Sequence, residues 1–184
     1  MKKSFLYFGI SYLIYCSFSI GNMTGQTPLP TKEEKTRWLT FEQAVEMQKK
    51  EPRKIIVDVY TNWCGWCKVM DTKTFGHDSI AKYMSKNFYT VKLNAETRDT
   101  IRYKGKNFVF MPEYRANELA VNLLSGQLSY PTIVFLNEKM EVLTVLKGFQ
   151  QPPQFDSVLK YFGENNYLKM EWNEFQKKYK SNLN

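Results

Sequence analysis

The stretch that most constrains this chain is Trp63-Cys64-Gly65-Trp66-Cys67-Lys68, which follows the apolar run Ile55-Ile56-Val57-Asp58-Val59-Tyr60. Two cysteines spaced this way at a strand-to-helix junction put the first thiol at a helix N-terminus. Unpaired N–H groups and the helix dipole there favour a thiolate and lower its pKa from the ordinary value of about 8.5. Cys67 falls one turn into the helix, near enough to close a small disulfide ring, so the two sulfurs can attack and resolve. The pattern points to thiol–disulfide exchange, with Cys64 attacking, Cys67 resolving and no cofactor needed. The same spacing is half of a zinc site, but zinc usually takes four ligands and the chain adds only Cys16 and one histidine, His77. A metal centre would need carboxylates or a second copy of the chain.

Further landmarks follow in order. Asp58 lies six residues before Cys64; Val91-Lys92-Leu93-Asn94 comes next, then Tyr130-Pro131-Thr132 leading into Ile133-Val134-Phe135-Leu136, and finally Gly148. On these residues the sequence from about 38 to 165 resembles the thioredoxin superfamily. Within it, Asn62-Trp63-Cys64-Gly65-Trp66-Cys67-Lys68 with Phe75 and Lys92-Leu93-Asn94 looks most like the exported thioredoxin-like proteins of bacteria. The resemblance implies an α/β thioredoxin-like fold with a central mixed sheet flanked by helices. It also implies a buried acid at Asp58, a lysine partner at Lys92 and a cis-proline at Pro131. Two departures stand out: Gly-Trp replaces the Gly-Pro of thioredoxin between the cysteines, and the connection from Lys92 to Pro131 is longer.

A chain of 184 residues with 16% aromatics suits one domain with a real core. Met1-Lys2-Lys3 followed by an uncharged run from Ser4 to Ile20 has the form of a secretory signal. Residues 1–25 are therefore expected to be a signal peptide, 26–37 a linker with Pro28 and Pro30, and 38–184 the domain, with an insertion at about 97–124. The competing reading is a membrane anchor at residues 4–20. Cys16 offers a third reading as a lipidated residue, although Tyr15 before it is a poor fit. If Cys16 leaves with the signal, only Cys64 and Cys67 remain, which suits an exported, periplasmic redox protein. The net charge of +8 falls by two without Lys2 and Lys3, and the C-terminal run Gln176-Lys177-Lys178-Tyr179-Lys180 reads as a solvated helix face. No basic stripe points to nucleic acid. The expected partners are protein disulfides and a thiol/disulfide redox partner.

Local signals sketch the rest. Thr40 and Gln43 form a capping box that opens a helix with Phe41, Ala44 and Val45 inward, ending at Glu51-Pro52. The near-continuous apolar run Lys54–Tyr60 reads as a strand covered on both faces, in which Asp58 is costly without a partner or a task. Gly76 breaks the cysteine helix and Asp78 is placed to cap the next, which carries Ile80, Ala81, Tyr83 and Met84. Phe88–Asn94 should pair in parallel with the first strand. In the insertion, Thr100–Tyr103 and Asn107–Phe110 read as a hairpin about a three-residue loop, Lys104-Gly105-Lys106, followed by a helix over Glu118–Leu124 that ends at Gly126. The insertion is expected to lie outside the core motifs and to serve substrate or partner choice. Pro131 should begin a strand that pairs antiparallel with Val142–Leu146. Phe155, Val158, Leu159 and Phe162 cover the sheet at helical spacing, and Leu168, Trp172, Phe175 and Tyr179 form one packed side of a last helix.

The chemistry assigns Asp58 as the base for Cys67, with a structural pairing to Lys92 as its alternative. Trp63, Trp66 and Tyr130 are candidates for an apolar substrate lip, and Pro131 leaves the preceding backbone free to pair with an extended client. His77 reads as a surface or capping residue. The function this implies is an extracytoplasmic oxidoreductase of protein disulfides, working as a reductase. A non-catalytic binding or chaperone module and a metal-binding protein are the alternatives.

Overall fold

The computed structural model describes residues 36–183, so the expected signal, most of the linker and Cys16 lie outside the described residues. Two seven-residue runs rich in β-branched and aromatic side chains become neighbours at the centre of a sheet, β2 (Lys54–Tyr60) and β3 (Phe88–Asn94), paired in parallel. The two-residue β1 (Trp38–Leu39) adds outside β3. On the other side, β8 (Thr132–Leu136) runs antiparallel to β2, and β9 (Val142–Lys147) antiparallel to β8, giving the order β1-β3-β2-β8-β9.

Strand alternation divides the core between two faces. Ile55, Val57 and Val59 meet α1 (Phe41–Lys50) and α4 (Glu118–Leu123). Ile56 and Phe135 meet Met70 of α2 (Gly65–Met70), α3 (Asp78–Asn87) and α5 (Pro152–Gly163). The capping box at Thr40 and Gln43 is present in both directions, an arrangement that contributes about 1 kcal/mol to a helix start. Between α2 and α3 the chain makes a π-helical turn at Asp71–Phe75, the source of the kink. Helix α3 opens after His77, which holds the N-cap position without a side-chain cap bond. Asp78 is its first helical residue, not the cap anticipated from sequence.

The insertion departs most from expectation. Its hairpin, β4 (Ile101–Tyr103) with β5 (Lys106–Phe108), closes on a two-residue loop, because Lys104 and Gly105 both take positive φ, 49° and 74°. That is the twist-matched geometry of a tight hairpin, and it makes Lys106 a strand residue. A second small hairpin, β6 (Phe110–Met111) with β7 (Ala116–Asn117), follows. Ile101, Phe108, Leu119 and Leu123 are buried against Phe41 and β3, so the insertion, which lies outside the motifs of the cysteine site, also supplies part of the hydrophobic core. At the C-terminus, Trp172 and Phe175 of α6 (Trp172–Lys178) stack on one another and pack on Tyr161, and the following Tyr179 stacks on Phe175. Leu168 leaves that stripe: it sits in a short 3-10 turn and is exposed. No helix among the described residues is long and apolar enough to cross a membrane.

Candidate active site

Cys64 and Cys67 stand where β2 hands over to α2, with sulfurs 2.06 Å apart. The Cys64 N–H donates to the Thr61 carbonyl at 3.2 Å, which shapes the turn. Cys64 is the N-cap of α2, and its sulfur accepts the Cys67 backbone N–H at 3.1 Å. A donor aimed at sulfur favours the anionic form, which is the electrostatic condition for a nucleophilic thiolate. Exposure does not separate the two cysteines, at 4% for Cys64 and 3% for Cys67. Their difference is positional, one capping the helix and the other inside its first turn.

Asp58, two residues after Ile56, faces the same side of the sheet as α2 and is 1% exposed. Its Oδ2 lies 2.8 Å from the Lys92 ammonium, opposite it in register on β3, while Oδ1 is buried with no hydrogen-bond partner among the described residues. Burial pushes the Asp58 carboxyl up to about 6 although the Lys92 charge pulls it down. Lys92 is itself raised: burial works against its charge, but Asp58 and Asp71 outweigh it. Asp71 at the start of the π-helical turn also binds the Lys92 ammonium, which lies over the rings of Trp38 and Tyr60. One cation is thus shared by two carboxylates, only one of them deeply buried.

Around the disulfide, Trp63 and Trp66 are 68% and 62% exposed. The Trp63 ring stands edge-on to Tyr130 at 5.9 Å and its indole N–H donates to Glu96 at 2.9 Å. Trp66 lies against Phe149 at 5.5 Å. The Tyr130-Pro131 bond is cis, and the Pro131 carbonyl accepts the Gly148 N–H at 2.8 Å. Gly148 has φ of 83°, so a side chain there would be strained. The structure therefore brings Tyr130 to Trp63, Pro131 to the end of β9, and Lys92 to Asp58. Asp71, Glu96 and Phe149 were missed by sequence reasoning. Only Asp71 had a signal: it lies one helical turn beyond Cys67. No group of three or more histidine, cysteine or acidic side chains positioned to hold a metal occurs among the described residues.

Sheet order, cis-proline and a cysteine pair at the mouth of α2 define a thioredoxin-like fold bearing a thiol–disulfide centre. The chain belongs to the thioredoxin-like domain family, whose family model matches residues 41–163. Among solved structures, the chain is similar to DsbH Oxidoreductase, at 15% identity and TM-score 0.51 over 80% of this chain and 96% of that one. A thioredoxin from Thermus thermophilus aligns at 20% identity and TM-score 0.53, over 69% of this chain and 86% of the other. A thioredoxin-fold protein from Helicobacter pylori gives 18% and 0.53, over 69% and 80%. At these identities the likeness is one of fold. A stretch of 60 residues is also 28% identical to spermatogenesis-associated protein 20 of Homo sapiens, covering 33% of this chain and 8% of that protein. Family and cysteine pair together support redox-enzyme activity of the thiol–disulfide class.

Proposed function

We propose that this chain is an exported thiol–disulfide oxidoreductase that reduces disulfides in other proteins. The observation that carries the reading is Cys64, whose sulfur is capped by the Cys67 N–H at the start of α2 and flanked by two exposed tryptophans. In the dithiol state, the Cys64 thiolate attacks one sulfur of a client disulfide, forming a mixed disulfide and releasing the other client sulfur as thiolate. Cys67 then loses its proton to the unpartnered Oδ1 of Asp58 and attacks the Cys64 sulfur. That step forms the Cys64–Cys67 disulfide and releases the second client thiolate, so two electrons have passed to the client. An external dithiol returns the pair to its reduced state.

Trp63, Trp66, Tyr130 and Phe149 supply apolar surface for an extended client segment, and the backbone before Pro131 can pair with it. Export rests on residues 1–25 and on a mature chain left with only two cysteines. Cys67→Ser tests the reading: it should accumulate mixed disulfides through Cys64 on non-reducing gels, whereas Cys64→Ser should trap almost none. Equal trapping by both would overturn the assignment. Direction is tested separately in a glutathione buffer, where a potential near about −270 mV fits a reductase and one near about −120 mV an oxidant.

A further inference from the structure

A cavity of about 720 Å³ lies away from the cysteines, between β9, α5, α6 and the residues that follow α6. Its floor is apolar, formed by Leu146, Val158, Tyr161, Phe162 and Trp172, and its walls carry the amide and hydroxyl side chains of Gln154, Ser157 and Gln176. Along one side runs β9, which pairs only with β8, so its outer edge is unpaired among the described residues. The stretch Val142-Leu143-Thr144-Val145-Leu146 has none of the charges or prolines that usually guard a free edge, and the one register irregularity sits at its start, near Val142. A free row of backbone N–H and C=O groups beside an apolar trough suits an added strand. Alternate side chains of that strand would fill the trough while its backbone pairs with β9.

In sequence the trough comes within one residue of the redox lip. It begins at Gln150, next to Phe149, which packs on Trp66. The Gln150 carbonyl accepts the Thr74 hydroxyl at 2.6 Å, tying this end of the trough to the π-helical turn behind the cysteine helix. We infer that the groove between β9 and α5 is a second client subsite, which takes an extended, apolar-alternating segment of the same polypeptide whose disulfide is at Cys64. The inference rests on the proposed reaction and adds to it a preference for long, unfolded clients over compact or small disulfides.

Two measurements test it. The first compares two disulfide peptides, one with short arms and one extended on both sides by alternating apolar and polar residues. The wild-type chain should show kcat/KM about tenfold higher for the long peptide, and Ser157→Trp or Gln176→Trp, each filling the trough, should bring the ratio to about one without changing the short-peptide rate. The second titrates a cysteine-free version of the long peptide, read by Trp172 fluorescence. Saturable binding that Ser157→Trp abolishes supports the subsite whatever the redox outcome. Equal rates for both peptides in the wild type, or a ratio that both variants preserve, overturns the subsite and leaves the proposed reaction standing. Failure of the wild type to reduce either peptide overturns the reaction itself. A concentration-dependent dimer that Ser157→Trp dissociates, with the peptide ratio unchanged, would assign the face to a second copy and also overturn the client subsite.

Discussion

Strand β2 carries a lysine–carboxylate pair near each end, and the two are built in opposite senses. At its start the lysine is the buried member. The Lys54 ammonium lies 2.6 Å from the half-exposed Glu138 carboxylate and donates to Asn165 at 2.7 Å. Burial pushes the Glu138 carboxyl up, but the Lys54 hydrogen bond, a backbone hydrogen bond and the Lys54 charge together outweigh it and hold it below the ordinary value. Near the active site the acid is the buried member, and the same type of partner fails to keep Asp58 low because burial dominates. A carboxylate that still touches water is steadied by its lysine, whereas one sealed under a sheet gains a reason to hold a proton. The first arrangement braces the fold; the second supplies a group able to exchange a proton near neutral pH.

The comparison breaks most visibly in stability against pH. The folded-state value of Asp58 is raised from 3.8 to about 6. Its contribution is therefore complete below the unfolded value and lost as pH climbs through about 6, a swing of about 3 kcal/mol. Denaturant titrations should show the wild type losing this increment between pH 4 and 7 while Asp58→Asn stays flat, leaving the mutant more stable at neutral pH. A mutant less stable at pH 7 would make Asp58 a structural acid. Glu138 has the opposite sign, because its lowered value gives stability present above the ordinary glutamate range and lost as pH falls through it. Its exposure keeps that part small.

Next in size is the rate. Asp58→Asn should slow resolution of the mixed disulfide by about 100-fold and leave the first attack nearly unchanged. Rapid quenching with a thiol-alkylating agent would separate the steps, and equal slowing of both would remove Asp58 from the resolving step. A smaller effect is expected for Asp71→Asn. Losing that charge removes a neighbour that raises the Asp58 carboxyl and leaves Lys92 to Asp58 alone. The pH midpoint of the resolving step should therefore move downward, with rates changed less than about tenfold; an upward move would contradict the shared-cation picture. Smallest is Lys54→Met. Glu138 can rehydrate and the methionine fills the same space, so stability should change by less than about 1 kcal/mol. Client reduction should be untouched, and a loss of activity there would mean that both ends of β2 serve catalysis.

Much of this site was legible before any coordinates because its parts are local. Cys64 and Cys67 share one turn of helix, and Asp58 is the one carboxylic acid in a nearly continuous apolar strand. Pro131 precedes a short run rich in β-branched residues, which reads as a strand. Asp71, Glu96 and Phe149 escaped because each joins the site through a partner distant in sequence: Lys92, Trp63 and Trp66 respectively. The insertion's share in the core is illegible in sequence for a related reason. Ile101 and Phe108 alternate with polar residues as any surface hairpin would, and only their docking on Phe41 and β3 makes them core.

By itself, then, the sequence determined the main strands and helices, the cysteine at a helix start and the single carboxylic acid in β2, since period, capping and composition act over a few residues. Tertiary structure decided how deeply Asp58 is buried, which carboxylates share Lys92, and that the edge of β9, unpaired among the described residues, borders an apolar trough. Those depend on distances between segments far apart in the chain, where dielectric surroundings and packing are set by the whole fold instead of by neighbours in sequence.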